Sequence, residues 1–307
     1  MNKFQKREFI ATVFVISAAF CWGLIGYFSR PISGKYFSSV QLSMLRSLIT
    51  LVVLCLIIFL FDKEKFKVKI RDFWIFIASG VFSIAFFNIC YFISIEKNTL
   101  SLAAILLYTA PSFVMIMSYF IFKEKITKQK WIALILSFLG LFFAVGILGG
   151  EIQTSILGLL VGLGSGFGYA LYSIFSRIAL KKYHCLTVTI YTFLIATICL
   201  IPFSEPYQII ETIAQQPKTI FNLLALGIVS TLMPFLLYTK GLENLEVGKA
   251  SLLTFVEPVV ATLVGVIAFK EKMTIFNISG IILIISSIMI LNIKPNVKGR
   301  LNVNINN

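Results

Sequence analysis

Glu257 is the only acidic residue deep inside a long apolar run, in the string Phe255-Val256-Glu257-Pro258-Val259-Val260-Ala261. A charge near the centre of a bilayer costs about 2.5–3.5 kcal/mol on insertion scales, so such a carboxylate faces a polar cavity or carries a proton. Two chemical uses follow: binding a cationic group, or coupling to proton movement. The structural alternative is a protonated glutamate hydrogen-bonded to a neighbouring helix. Arg46, about two turns into an earlier apolar run, is the cation of the set. It either draws an anionic or carboxylate-bearing substrate into a cavity or runs its aliphatic stem out to the membrane interface.

Pro111 and Pro258 lie about halfway along two stretches of apolar sequence, the second being the run that holds Glu257. Each removes a backbone donor and frees a carbonyl one turn back, which kinks or loosens a helix. They read as paired flexible points lining a substrate path, against the plainer reading that membrane helices tolerate proline for packing. Trp22, Tyr27, Asn88, Tyr91, Tyr108, Tyr169, Tyr172, Tyr191 and Tyr238 form an aromatic and polar group. Inside a bundle they offer flat apolar faces with polar tips, suited to amphipathic organic molecules; at helix ends they would be interfacial belt residues. Tyr108, Tyr169 and Tyr172 fall nearest the middle of their runs. The candidate substrate-binding residues are therefore Trp22, Arg46, Asn88, Tyr91, Tyr108, Pro111, Tyr169, Tyr172, Tyr238, Glu257 and Pro258.

No catalytic set, metal site or cofactor is expected. His184 is the lone histidine and reads as a solvated loop residue beside Lys181 and Lys182. Cys21, Cys55, Cys90, Cys185 and Cys199 are scattered without a CxxC pair and read as small buried hydrophobes. Glycines 158, 162, 164, 166 and 168 lie in an apolar run with no following Lys-Ser/Thr, so close helix packing is expected rather than a phosphate loop.

The elements that must position these residues are membrane helices. At 58% hydrophobic and 13% charged over 307 residues, the chain has too little polar surface to clothe a soluble core of this size. A hydrocarbon core of about 30 Å needs about 20 helical residues. Ten runs meet that length, near 9–29, 39–61, 73–94, 99–122, 128–148, 155–179, 185–203, 218–240, 247–269 and 274–293. None alternates like a barrel strand, and helices alone satisfy their own backbone groups in lipid. The first run follows Lys3, Lys6 and Arg7 as a signal peptide would, but it is too long, and Trp22 and Arg30 occupy the cleavage region. A retained span is expected.

The net charge of +14 does not imply nucleic acid, because the basic residues lie in short gaps between apolar runs. Their sidedness is informative. Twenty of the 27 fall in the N-terminus, the even-numbered loops and the C-terminus, against six in the odd-numbered loops. That bias places both termini in the cytoplasm.

Shifted by 147 residues, the sequence matches itself without a gap. Phe28-Ser29-Arg30 falls on Phe175-Ser176-Arg177, Lys35-Tyr36 on Lys182-Tyr183, and Tyr91 on Tyr238. Glu96 falls on Glu243, Ala103 on Ala250, Pro111 on Pro258, and Phe122-Lys123-Glu124-Lys125 on Phe269-Lys270-Glu271-Lys272. Apolar residues coincide by composition; proline, glutamate and a charged four-residue string do not. Each half holds five runs, an odd number, so the second copy enters the membrane from the opposite side. The expected fold is all-α integral membrane: ten spans as two inverted five-helix repeats, residues 1–148 and 149–307.

With these motifs the chain resembles the EamA family of the drug/metabolite transporter superfamily. Trp22-Gly23 resembles the family's opening motif, and Arg46 the arginine early in its second span. Pro111 through Phe122-Lys123-Glu124-Lys125, and Glu257-Pro258-Val259-Val260-Ala261 through Glu271, resemble its proline-to-glutamate signatures. The resemblance covers about residues 9–293. Two departures are Tyr169, where the second half would repeat Trp22, and Thr109-Ala110 before Pro111, where the other half carries Glu257. The resemblance implies a secondary transporter in the bacterial cytoplasmic membrane. It would move small amphipathic metabolites such as amino acids by alternating access, export being at least as frequent as uptake. Its partners would be the substrate and the bilayer, with proton coupling and a homodimer left open. A membrane-embedded enzyme would need convergent nucleophiles, metal ligands or paired carboxylates within the spans. A receptor or scaffold would need a larger soluble domain than loops near 62–72 and 204–218 provide. ATP drive would need a GxxxxGK[ST] loop, which the sequence lacks.

Overall fold

The computed structural model describes residues 3–144 and 155–293, and every regular element among them is helical. Among the described residues, nine helices are long and apolar enough to cross a membrane. In chain order with one shorter helix they are α1 (Gln5–Ser29), α2 (Ser39–Phe61), α3 (Ile70–Lys97), α4 (Ser101–Phe122), α5 (Lys128–Ala144), α6 (Ile156–Ala179), α7 (Cys185–Phe203), α8 (Thr219–Leu242), α9 (Val247–Phe269) and α10 (Ile275–Asn292). The shorter one is α5, with 17 described residues; its expected continuation over 145–148, the repeat boundary at 148–149 and the basic C-terminus lie outside the described residues. The outer surface is apolar, carrying exposed Phe59, Leu60, Phe120, Ile267 and Met289, a composition that only lipid satisfies.

Helix starts follow from local chemistry. Ser38 caps α2 in a reciprocal box with Gln41, and Thr274 caps α10 with Asn277. His184 caps α7: its Nδ1 accepts the Leu186 N–H at 3.2 Å, so it is a capping residue rather than the free loop side chain expected. The segment 204–218, read as a loop, contains a helix over Pro206–Gln215 that buries Ile209 and packs Ile213 against the Leu200–Leu223 cluster. Ten residues are too few to stand out from a polar gap by length, and only one face is apolar.

Contacts between helices recur when the chain is shifted by 147 residues. α1 packs on α8, and α6 packs on α3; α4 packs on α6, and α9 on α1. α2 packs on α7 and α5 on α10. At the α5–α10 crossing a Cβ on Gly140 would come within 2.8 Å of the Gly280 carbonyl, so backbones touch there, and Ser137 and Ser287 hydroxyls bond at 2.7 Å. α3 and α8 each contain a widened turn, Ser79–Ala85 and Ile228–Leu232. The two irregularities overlap when the first repeat is shifted by 147 residues onto the second.

Candidate functional site

α4 and α9 are both broken. α4 runs as Leu100–Leu107 and Ala110–Phe122, and α9 as Val247–Leu253 and Val256–Phe269. The prolines explain the position of each break. Pro111 and Pro258 sit in the first turn of the second segments, where a missing N–H costs least, and the chain before them forms a tight turn instead. In α9 the Thr254 carbonyl accepts the Glu257 N–H at 2.9 Å; in α4 the Thr109 carbonyl accepts the Ser112 N–H at 3.0 Å. The prolines thus separate two helices rather than bending one.

The two breaks meet. Tyr108 stacks on Phe255 with ring centres 5.8 Å apart and planes inclined by 25°. The Tyr108 hydroxyl stands beside the Glu257 carboxylate, near enough to interact with it. Glu257 is half-buried beside α1, which approaches closely because residue 23 is glycine: a Cβ there would lie 2.9 Å from the Glu257 carbonyl oxygen. Arg46 does not run to the interface. Its Nε donates to Thr231 Oγ1 at 2.8 Å, in the widened turn of α8, and its guanidinium is near enough to Glu257 to interact with it. Opposite charges therefore face one another inside the bundle, Arg46 held by Thr231 and Glu257 beside the Tyr108 hydroxyl.

Aromatic rings border this pair. Trp22 contacts Tyr169 at 6.2 Å, Phe235 at 5.3 Å and Tyr238 at 5.4 Å. Phe87 bridges Tyr91 and Tyr169. Beneath them Trp22, Pro111, Tyr169, Tyr172 and Tyr238 line a cavity of about 10 Å³, room for about one water. Hydroxyl pairs tie α6 to α8 here, Tyr172 with Thr239 at 2.6 Å and Ser173 with Tyr238 at 2.7 Å, and further along α6 Arg177 donates to the Leu242 carbonyl.

Ten of the eleven candidate residues fall around this centre. Asn88 does not: its amide is buried between Ser43 (2.8 Å) and the Ile84 carbonyl (2.7 Å), a structural link from α3 to α2. Pro258 acts through the break it creates, its own ring being buried. Tyr27 is exposed beside Phe28 and Phe269, and Tyr191 donates to the Phe66 carbonyl, so neither reaches the centre. Three residues of the centre escaped sequence reasoning: Thr231, Phe235 and Phe255. Threonine and phenylalanine are common in lipid-facing helices, and only the 147-residue register, which sets Phe255 on Tyr108, could have singled one out. Among the described residues no three His, Cys, Asp or Glu side chains converge as metal ligands.

The profile of the EamA-like transporter family matches this chain twice, over residues 9–146 and 156–293. The chain belongs to the EamA-like transporter family. Its two-repeat family architecture corresponds to the two sets of helices described above. Among similar proteins, an uncharacterized transporter of Archaeoglobus fulgidus is 28% identical over 271 residues, 88% of this chain and 94% of that protein. The uncharacterized transporter YwfM of Bacillus subtilis is 22% identical over 289 residues, 93% and 95% of the two chains. One crystal structure superposes with a TM-score of 0.77 over 92% of this chain and 96% of its own, at 17% identity, which establishes a shared fold. As an EamA-like transporter the chain is a multi-pass protein of the lipid bilayer that handles a small-molecule substrate.

Proposed function

We propose that this chain is a secondary transporter that exports small amphipathic metabolites, amino acids among them, by alternating access. Ten spans form two inverted repeats, 1–148 and 149–307, with both termini in the cytoplasm of a bacterial cell. The observation that carries the reading is the Glu257–Arg46 pair at the meeting point of the two broken helices, under a layer of aromatic rings. An amino acid offers an ammonium and a carboxylate a few ångströms apart and a side chain that rings can cover. Arg46 and Glu257 can exchange their mutual attraction for those two groups.

Two further features support alternating access. Elements 147 residues apart make equivalent contacts, so two similar packings of one sequence are available. The repeated strings also lie at opposite ends of α1: Lys249, beside the Glu124-capped turn of α9, pairs with Glu8, while Glu271 pairs with Arg30. Glu257 is the group that takes up a proton when the substrate leaves, which couples flux to a pH gradient.

Uptake and efflux of a metabolite panel by purified protein in sealed proteoliposomes, with and without a pH gradient, tests this reading. Saturable flux of amino acids that is lost in Glu257→Gln supports it. Flux of other solutes, or flux that Glu257→Gln leaves unchanged at every pH, removes this site from the account.

A further inference from the structure

Glu124 and Glu271 close α4 and α9 at positions 147 residues apart, each after a lysine in the left-handed conformation, φ 59° at Lys123 and 55° at Lys270. Their backbones match: the Glu124 N–H bonds the Ser118 carbonyl at 3.3 Å, and the Glu271 N–H bonds the Gly265 carbonyl at 3.2 Å. Their side chains do not match. The Glu124 carboxylate accepts the N–H groups of Val247 at 2.6 Å and Gly248 at 3.0 Å, capping the start of α9, and is almost fully buried beside Lys130. The Glu271 carboxylate instead meets the Arg30 guanidinium, both half exposed, with Arg30 also covering the Phe269 ring.

Every partner for the reverse arrangement exists in the chain. Positions 247 and 248 correspond to 100 and 101, the start of α4; Arg30 corresponds to Arg177, and Leu242 to Ile95. The two rims differ as a shut one and an open one should. On the Glu124 side α6 is held to α8 by the Ser173–Tyr238 bond. On the other side Gly26, which corresponds to Ser173, has open space where a side chain would be.

We propose that Glu124 and Glu271 are paired latches that exchange roles during transport. In the opposite state Glu271 leaves Arg30 and caps the backbone N–H groups of residues 100 and 101. Arg30 turns to the Ile95 carbonyl, as Arg177 now holds Leu242, and Glu124 leaves α9 for Arg177. This inference rests on the alternating-access reading and assigns the residues that set its two states. A buried carboxylate at a helix start makes charge-assisted bonds, whereas an exposed ion pair contributes little, so the cap decides which rim is shut. The latches are unequal. Lys130 reinforces the Glu124 rim through Glu246 at 2.7 Å, and the corresponding positions, Asn277 and Thr99, are neutral. The state with the Glu124 rim shut is therefore the resting one.

Pulsed electron–electron distance measurements on the full chain in lipid nanodiscs test the exchange. Spin labels are introduced by unnatural amino acids, which leaves the five cysteines in place. Exposed Lys97 and Lys272 report the Glu271 rim, and exposed Asn244 and Lys125, their counterparts, report the Glu124 rim. Wild-type protein should show a long 97–272 and a short 125–244 distance, with a minor population reversed. Glu124→Gln should raise the reversed population about tenfold, and Glu271→Gln should remove it. Arg30→Glu with Glu271→Arg restores the ion pair but not the cap, so it too should remove the reversed population. If that double variant behaves as wild type, or if Glu124→Gln and Glu271→Gln leave both populations unchanged, the latch exchange is wrong while alternating access stands. A single distance at each rim in wild type and all variants overturns both.

Discussion

Tyr108 and Phe255 are sequence counterparts, 147 residues apart, and in the folded chain they stack on one another at the breaks of α4 and α9. Each repeat thus meets the other at the same position of its own sequence. Trp22 and Tyr169, a second counterpart pair, also touch. Both contacts lie in the aromatic layer, with Glu257 in one half and, at the corresponding position, Ala110 in the other. A duplicated scaffold has kept its aromatic contacts and made its charge one-sided.

The stack and the hydroxyl of Tyr108 have separable roles. Phe255→Ala removes a fully buried ring and should cost about 3 kcal/mol of stability, read by unfolding in mixed detergent micelles. Tyr108→Phe keeps the stack and loses only the hydroxyl beside Glu257. Its stability should change by less than about 1.5 kcal/mol, while flux in proteoliposomes falls at least several-fold.

Arg46 and Glu257 should be coupled. Removing either charge strands the other in a half-buried setting, so each single glutamine variant should be less stable than wild type by about 2–3 kcal/mol. The double variant should be less damaged than the sum, with a coupling above about 1 kcal/mol in a double-mutant cycle. Additive losses would mean that the two side chains act separately.

Restoring an N–H at the breaks should stiffen them. Pro111→Ala with Pro258→Ala allows each pair of segments to join into one helix, since alanine is the best helix former. Folded protein should be recovered at wild-type levels and flux should drop by about tenfold or more. Undiminished flux would leave the prolines a packing role only.

Acid should weaken the start of α7. Burial first, then the positive charges of Lys65 and Lys240, hold the His184 imidazole below its ordinary 6.5. Its Nδ1 accepts a backbone N–H, which requires that nitrogen to be unprotonated. Because the unfolded chain takes up the proton more readily, stability should fall as pH drops through and below about 6.5 and be constant above it. His184→Ala should cost about 1 kcal/mol at pH 8 and flatten this part of the pH profile of thermal unfolding.

Much of this was legible in the sequence because apolar run length and proline position are local signals. Helix limits at α7 and α9 agree with the runs read as 185–203 and 247–269. The 147-residue repeat carried over into equivalent packing. What could not be read depends on contacts between distant segments. Arg46 looked free to reach the interface until Thr231 stood beside it. Asn88 had the chemistry of a binding residue, but Ser43 occupies it. The widened turns in α3 and α8 leave no compositional trace, though Pro234, just after the second, marks a carbonyl deprived of its donor. The unequal use of Glu124 and Glu271, identical in local sequence, depends on partners outside that string: Lys130 and the start of α9 for one, Arg30 for the other.

The sidedness of Lys125 and Lys272 tests the mirrored scaffold most directly. Each is exposed and follows the repeated glutamate. In intact cells bearing a single labelling group at one position or the other, an impermeant reagent should modify position 272 and leave 125 untouched until the membrane is opened. Modification of both from the same side would contradict the inverted halves, and with them the shared central chamber.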